Sequence, residues 1–501
     1  MSFLVGVDVG TSSLKTIITD ETGNVYALRS CDYQFDMPHQ GWAEQNPDVW
    51  YDAFADTMKK TLSASGIDKT DIAAVGFSGQ MHGAVMLDEN MHSVRPAILH
   101  CDVRSGDIVE DIKRILPVPE QYRLMKNPVY CGFLLVSLLW VREHEPENFA
   151  RIRHVCLPKD YVKYRLSGEW RSDCSDASAT LVFDIENRIW SEEILRRFDL
   201  PVDWFPQVTE TTDMIGAVTG KASRETGLPA GTAVVSGGGD QVMQAIGSGA
   251  IDEGAVSINI GTSGQVSVQS MRPALNPALS TNVFCGFACD RWITMGAIMN
   301  AGLCLKWWRG VSGQVDFDSI NVAVAKVSPG SDGIIFLPYL NGERTPHLNP
   351  DLSGAFLGLR LQSGMPEMTR AVMEGVTYAL RECMILCESL GLSVQGDIIS
   401  SGGGARSDAW LQIQADVFGR RIRVAENAEQ AALGAAIAAG VGSAVFKSTK
   451  EGCLQMVRYK DLCYEPVMAH HALYEEFFEL YRAFYRESGN TLAELTRIGR
   501  G

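Results

Sequence analysis

A two-domain α/β protein is what this sequence predicts, and three observations carry the prediction. The first is a repeated turn. Asp8-Val9-Gly10-Thr11-Ser12-Ser13 sits between two apolar runs, and Asn259-Ile260-Gly261-Thr262-Ser263-Gly264 reprises it in the second half. Each copy reads strand, Gly-Thr-Ser turn, strand, and such turns leave backbone N–H groups pointing one way, a nest for phosphate oxygens. The second is that strand and helix patterns interleave in both halves. The third is size: 501 residues, 46% of them hydrophobic, suffice for two large cores. Two phosphate turns in two halves predict a duplicated fold with a nucleotide between them, in the interdomain crevice that ligands favour.

In chain order, residues 3–9, 15–20 and 25–32 read as a three-strand meander, with the Glu21-Thr22-Gly23-Asn24 turn joining the last two. Residues 48–65 place Val49, Trp50, Phe54, Met58 and Leu62 at helical spacing. Residues 72–77 read as a buried strand running into Ser78-Gly79-Gln80-Met81-His82-Gly83, and 84–87 as another. Strand and helix signals alternate to about Leu228. Residues 233–236 form a short strand ending in Gly237-Gly238-Gly239-Asp240, and 241–248 a helix. The second turn opens a new meander, which sets the domain boundary near 247–254. In the second half, 334–337 is a strand, 366–390 a helix with a Pro start, and 398–400 a strand ending in Gly402-Gly403-Gly404-Ala405-Arg406-Ser407. A helix over 408–418 follows. Residues 431–446 are small and apolar, broken by Gly434, Gly440 and Gly442, and read as a buried helix with its terminal turn. The tail, 470–486, is an amphipathic helix suited to packing on the body or on a partner subunit.

Composition excludes several classes. The formal charge of −16 disfavours nucleic acid or an anionic membrane as the main partner. The N-terminus lacks a basic region before its apolar run, so it reads as a first strand and not a signal peptide. The 431–446 stretch is too short and glycine-rich for a membrane span. Twelve cysteines form no C-x-x-C pair, although Cys285 and Cys289, and Cys383 and Cys387, lie four apart. Free thiols in a reducing cytoplasm are the expectation, ahead of disulfides or a zinc site.

Several residues suit chemistry in this setting. Asp8 beside a phosphate nest suits Mg²⁺ held against β- and γ-phosphates, and a turn-capping aspartate is the plainer alternative. The second copy has Asn259 in its place, so only one half carries the charge. Asp240 after three glycines suits a general base, or equally an N-cap for the helix that follows. The glycines at 402–404 allow a base or ribose against the main chain, or form an ordinary strand–helix loop. Met81-His82 could offer a polyol an apolar wall and a hydrogen bond, and Trp42 with Glu44 a polar-aromatic surface for sugars. Other nucleotide motifs fail: 216–221 lacks P-loop spacing, and no G-x-G-x-x-G follows a strand.

With these residues assembled, the chain resembles the FGGY family of carbohydrate kinases, and within it the xylulokinases, from about residue 4 to 439. Gly354-Ala355-Phe356-Leu357-Gly358-Leu359, then Glu367-Met368 and Ala371-Val372-Met373-Glu374, are similar to the family's C-terminal signature. Ser78-Gly79-Gln80-Met81-His82-Gly83, Arg95-Pro96-Ala97-Ile98-Leu99, Leu157-Pro158-Lys159-Asp160-Tyr161 and Ser175-Asp176-Ala177-Ser178 are xylulokinase-like. The resemblance implies two actin-like, ribonuclease-H-like domains, 1–247 and 248–445, with a helical tail over 446–501 and an active-site cleft between the domains. It implies ATP-dependent phosphorylation of D-xylulose to D-xylulose 5-phosphate, Asp240 as base, and Asp8 near Mg²⁺. Gly10, Thr11, Ser12, Gly261 and Thr262 would cradle phosphates, and Gly403, Gly404, Ala405 and Ser407 would hold the adenosine. Met81, His82, Trp42, Asp102 and Gln241 would face the ketose. The implied partners are ketose and ATP, with no nucleic acid or membrane, in a cytoplasmic protein that forms a possible homodimer. Three departures bear on the sugar: Ser137 and Leu134 in the N-terminal signature, His100-Cys101 before Asp102 where Trp-Asn is common, and Gln241 where Asn is typical. The alternatives are a family kinase for ribulose, a deoxyketose or a tetritol, or an actin-like ATPase without a sugar acceptor.

Overall fold

The computed structural model describes residues 2–313 and 316–500. Strand β1 (Phe3–Val9) pairs antiparallel with β2 (Ser13–Asp20) from Phe3–Asp20 to Val9–Leu14, and β3 (Val25–Asp32) completes the meander. Helix α1 (Pro47–Ser65) then crosses to β4 (Ile72–Gly79), parallel to β1 on its other edge. The start of α1 is written locally. The Asn46 side chain accepts from Asp48 N at 3.0 Å, and Pro47 opens the first turn. Its stripe of Trp50, Phe54 and Met58 is fully buried.

A long excursion follows, with α2 (Leu134–His144), α3 (Pro158–Ser167) and the short α4 (Cys174–Ala177). It forms a core of its own, including Leu135, Leu138 and Val141. The chain rejoins the sheet as β5 (Met214–Ala217), β6 (Ala233–Val235) and β7 (Gly238–Gly239), giving the order β5-β6-β4-β1-β2-β3 with β7 beside β4. Helix α5 (Asp240–Ser248) leads out of β7.

The second half repeats the scheme. Strands β8 (Val256–Ile260), β9 (Gly264–Ser270), β10 (Asn282–Cys285) and β11 (Trp292–Ile298) pair antiparallel with one another. Helices α6 (Gly302–Ser312), α7 (Phe317–Val324) and α8 (Met365–Ser389) lead to β12 (Ile398–Gly402). Next come α9 (Asp408–Phe418) and β13 (Ile422–Arg423), for an order of β10-β11-β9-β8-β12-β13. In both sheets an antiparallel meander is extended by parallel strands beside its first member, the duplication that the two turns predict. This is the actin-like, ribonuclease-H-like arrangement.

Helix α10 (Gln430–Gly442) returns from the second sheet to lie on β1, β4 and α5. That second covering layer is why β1 is apolar on both faces, with Leu4, Val5, Val7 and Val9 all fully buried. The crossing of α5 and α10 needs bare backbone: a Cβ on Gly434 would stand 1.9 Å from the Met243 carbonyl oxygen. Gly434→Val is therefore expected to cost about 1–3 kcal/mol or more by overpacking, measured as a lower Tm and urea midpoint. The tail forms α11 (Met468–Arg500), longer than its apolar pattern predicts, with Tyr474, Phe478 and Tyr481 buried against the second half. All twelve cysteines are free thiols. Among the described residues no helix is long and apolar enough to cross a membrane.

Candidate active site

The C-terminal ends of β1, β4 and β7 lie side by side: Asp8 is level with Ser78, and Ser78 with Gly238. This register brings Asp8 and Asp240, far apart in sequence, to one edge. Ser78 Oγ donates to Asp8 Oδ1 at 2.8 Å. Burial pushes the Asp8 carboxyl up, against the opposing effects of that hydrogen bond and the Lys15 ammonium. Burial and then the Asp8 charge push Asp240 up to about 7. Asp240 is the first residue of α5, whose N-cap is Gly239, and hydrogen bonds from the Gln241 backbone and side chain to its carboxyl oppose the upward shift. The helix begins one residue earlier than its apolar pattern suggests, so Gly239 and not Asp240 is its N-cap residue.

The first Gly-Thr-Ser turn is braced from outside. Thr11 Oγ1 donates to Gln80 Oε1 at 3.0 Å, Tyr33 Oη donates to the Gly10 carbonyl at 2.6 Å, and Tyr33 N donates to the Ser12 carbonyl. The second turn leans on the start of α6, where Ala301 N and Leu303 N donate to the Thr262 carbonyl. Helix α5 ties the two together. Its first residue stands beside Asp8, while Gln241 Oε1 accepts from Gln265 at 2.9 Å and Gln244 Nε2 donates to Ser401 Oγ at 2.7 Å. Both turns thus flank one helix end.

Gly261, Thr262, Gly403, Gly404 and Ser407 line a cavity of about 560 Å³ in the second half. The 402–407 loop reaches it by pressing on β8: Gly402 has φ +77°, and a Cβ there would meet the Ile260 carbonyl at 2.6 Å. Ala405 turns its side chain into the core and does not line the cavity. Ser407 caps α9 through Trp410 N and donates to Asn321 at 2.6 Å. Gly10, Thr11 and Ser12 do not line this cavity. Sequence reasoning missed Lys306, Arg309, Phe317 and Asn321, which form its far wall, with the Arg309 guanidinium 4.4 Å from the Phe317 ring.

Met81 lies against Gly239, the residue before Asp240, and His82 follows it in the same loop. The Met81 side chain occupies the space a Cβ on Gly239 would enter, within 2.9 Å. His82 Nδ1 donates to the Ala179 carbonyl at 2.8 Å, and the ring stacks on Phe133 at 4.0 Å. Burial pulls its pKa down to about 3, so the ring is neutral and Nε2 is an acceptor. Trp42 and Asp102 belong to a separate cluster. The Arg104 guanidinium stands 3.7 Å from the Trp42 ring, and Asp102 is enclosed, taking Arg104 Nη2 at 2.7 Å and Ala43 N at 2.6 Å. Asp102 therefore holds the Trp42 segment and does not face open space.

Among the described residues no three His, Cys, Asp or Glu side chains form a metal cage. Asp8 and Asp240, close enough that the Asp8 charge raises the proton affinity of Asp240, nonetheless fit Mg²⁺. That ion keeps several waters and is bound through one or two carboxylates plus substrate phosphates.

Residues 3–247 match the N-terminal domain, and residues 256–443 the C-terminal domain, of the FGGY family of carbohydrate kinases. A xylulose kinase from Staphylococcus xylosus is 33% identical over 487 residues, 97% of this chain and 100% of that protein. A gluconokinase from Bacillus subtilis is 30% identical over 448 residues, 87% of this chain and 86% of that protein. The crystal structure of a xylulose kinase from Rhodospirillum rubrum aligns with TM-score 0.91 at 26% identity, covering 98% of this chain and 99% of that one.

Proposed function

The chain belongs to the FGGY family of carbohydrate kinases, and from that premise we propose that it transfers the γ-phosphoryl of ATP to O5 of D-xylulose with Asp240 as general base. The observation that supports this most is Asp240 itself: a carboxyl pushed up to about 7, beside Asp8, at the helix end that both turns flank. A base with that affinity for protons can take the hydroxyl proton as the oxygen attacks phosphorus, and then release it near neutral pH.

The rest of the chemistry is placement and electrostatics. Met81 gives the sugar an apolar wall, and His82 Nε2 accepts from a sugar hydroxyl. Trp42 is held as a flat face by Arg104 and Asp102, and Gln241 borders the base. Backbone N–H groups of Gly10, Thr11, Ser12, Gly261 and Thr262 cradle the phosphates. The 403–404 backbone and Ser407 hold the adenosine in the 560 Å³ cavity. Mg²⁺, bound near Asp8 with the nucleotide, supplies neutralisation of phosphate charge. Free thiols and ATP use fit a cytoplasmic enzyme.

A second reading has a specific basis. Gln241 and His100-Cys101 border the sugar, and a gluconokinase is among the relatives at 30% identity. A panel of D-xylulose, D-ribulose, a deoxyketose, a tetritol and gluconate, followed by coupled ADP detection, separates the two readings. The highest kcat/KM is expected with D-xylulose, with phosphate at C5 by NMR. A preference for another acceptor overturns xylulose as substrate, and ADP release indifferent to every acceptor overturns the sugar-kinase assignment of this site.

A further inference from the structure

Behind the Asp240 edge lies a fully buried ionic cluster that the mechanism above does not use. Lys159 Nζ, on α3, lies 2.5 Å from Asp173, 2.7 Å from Asp176 and 3.1 Å from Asp160. Lys163, one turn on, reaches the same Asp160 oxygen at 3.0 Å and the Ser236 carbonyl at 3.1 Å. Every one of these side chains has an exposure of 1% or less. Burying charges is expensive, so a cluster of this kind calls for a reason beyond stability. Burial pushes Asp176 up to about 8, against the pull of the Lys159 ammonium. Burial alone would lower Lys159, but the carboxylates around it hold it well above its ordinary value.

The cluster reaches the catalytic edge through one hydroxyl. Asp173 Oδ1 accepts from Ser175 N at 2.9 Å, from Asp176 N at 3.0 Å and from Ser175 Oγ. Ser175 Oγ in turn accepts from Gly239 N at 3.0 Å. It sits 2.7 Å from where a Gly238 side chain would begin, so the glycine makes room for it. Gly239 is the residue before Asp240, and its peptide sets the direction in which the Asp240 side chain leaves the backbone. We propose that Ser175, oriented by Asp173 and the Lys159 ammonium, is a positioning residue for phosphoryl transfer: its hydroxyl fixes the Gly239 peptide and with it the aim of the Asp240 carboxylate. The proposal deepens the functional reading above and rests on it for the identity of the base.

The experiment compares Ser175→Ala with Ser172→Ala in the full chain. Ser172 Oγ donates to Asp160 at 2.7 Å within the same cluster but does not touch Gly239, so it controls for general loosening of the cluster. Two readouts are taken: steady-state kcat and KM for D-xylulose and MgATP, and residue-resolved hydrogen–deuterium exchange at the Gly239 amide. Ser175→Ala is expected to lower kcat by about 10- to 100-fold, the range for a displaced catalytic group, with both KM values within about 2-fold. It should accelerate Gly239 exchange, and Ser172→Ala should do neither. A Ser175→Ala enzyme within about 2-fold of the parent in kcat, or no more affected than Ser172→Ala, overturns the proposal, as does unchanged Gly239 exchange. If the parent phosphorylates none of the panel sugars, the functional reading falls by itself. The exchange comparison then still decides whether Ser175 holds the Gly239 peptide.

Discussion

Asp240→Asn should lower kcat by roughly a hundredfold to ten-thousandfold, the range for removal of a general base, while KM for ATP and ketose stays near the parent value. The substitution keeps the shape and exchanges one oxygen for an amide nitrogen. The position at the start of α5 is kept, so a loss in kcat at constant KM assigns the effect to proton transfer. The parent's pH profile gives a second check. Asp240 accepts a proton only when ionised, and its carboxyl is pushed up to about 7. For the parent, kcat/KM should rise with pH through about 7 and flatten above it. Stability runs the opposite way. A folded pKa above the ordinary 3.8 means the native state binds the proton more tightly, so this group's contribution to stability falls as pH rises from about 4 through about 7. Asp240→Asn removes that loss, and its Tm at pH 8 should equal or exceed the parent's. A mutant that turns over ketose at the parental rate removes Asp240 as base, and one that melts well below the parent makes its kcat uninformative.

How much of this was legible in the sequence differs by element. The two meanders were legible because a β-strand shows its period within a few residues, and the Gly-Thr-Ser turns carry their geometry in residue types. Asp240 stood out because three glycines precede it. Its role beside Asp8 did not, since that rests on the register linking β1, β4 and β7, a long-range pairing with no local signature. Asp102 illustrates a further limit. A carboxylate in a loop reads as a ligand until the fold shows both oxygens engaged by Arg104 and the Ala43 backbone. Lys306, Arg309 and Asn321 were invisible for another reason. They project from α6 and α7, and helical spacing says which face is apolar, not which polar residue borders a cavity. The 430–442 helix was legible as buried, but its landing on the first sheet was not, because Gly434 shows its purpose only against Met243.

Asp8→Asn carries the other large expected effect, and the molecule supplies its own precedent: the second turn has Asn259 at the matching position. The mutant gives both turns the same Asn-x-Gly-Thr-Ser pattern. If the charge at Asp8 serves Mg²⁺, kcat/KM for MgATP should fall by roughly a hundredfold, comparable to loss of one preorganised electrostatic contact. The magnesium concentration for half-maximal rate should rise as well. Loss of the Ser78 hydrogen bond does not explain such a result, because an Asn side-chain oxygen can still accept from Ser78. The two carboxylates also interact: the Asp8 charge is one of the causes holding Asp240 high. Neutralising Asp8 must therefore let the Asp240 carboxyl ionise more readily, so the acid limb of the remaining activity should move to lower pH. The two readouts answer different questions. Unchanged magnesium dependence takes Asp8 out of the metal site, and an acid limb that stays in place removes the charge coupling between the two strand ends. Both shifts together require that one carboxylate serve the cation while its field sets the proton affinity of its neighbour, which is what an acid pair at the ends of β1 and β7, on either side of β4, can do and a single acid cannot.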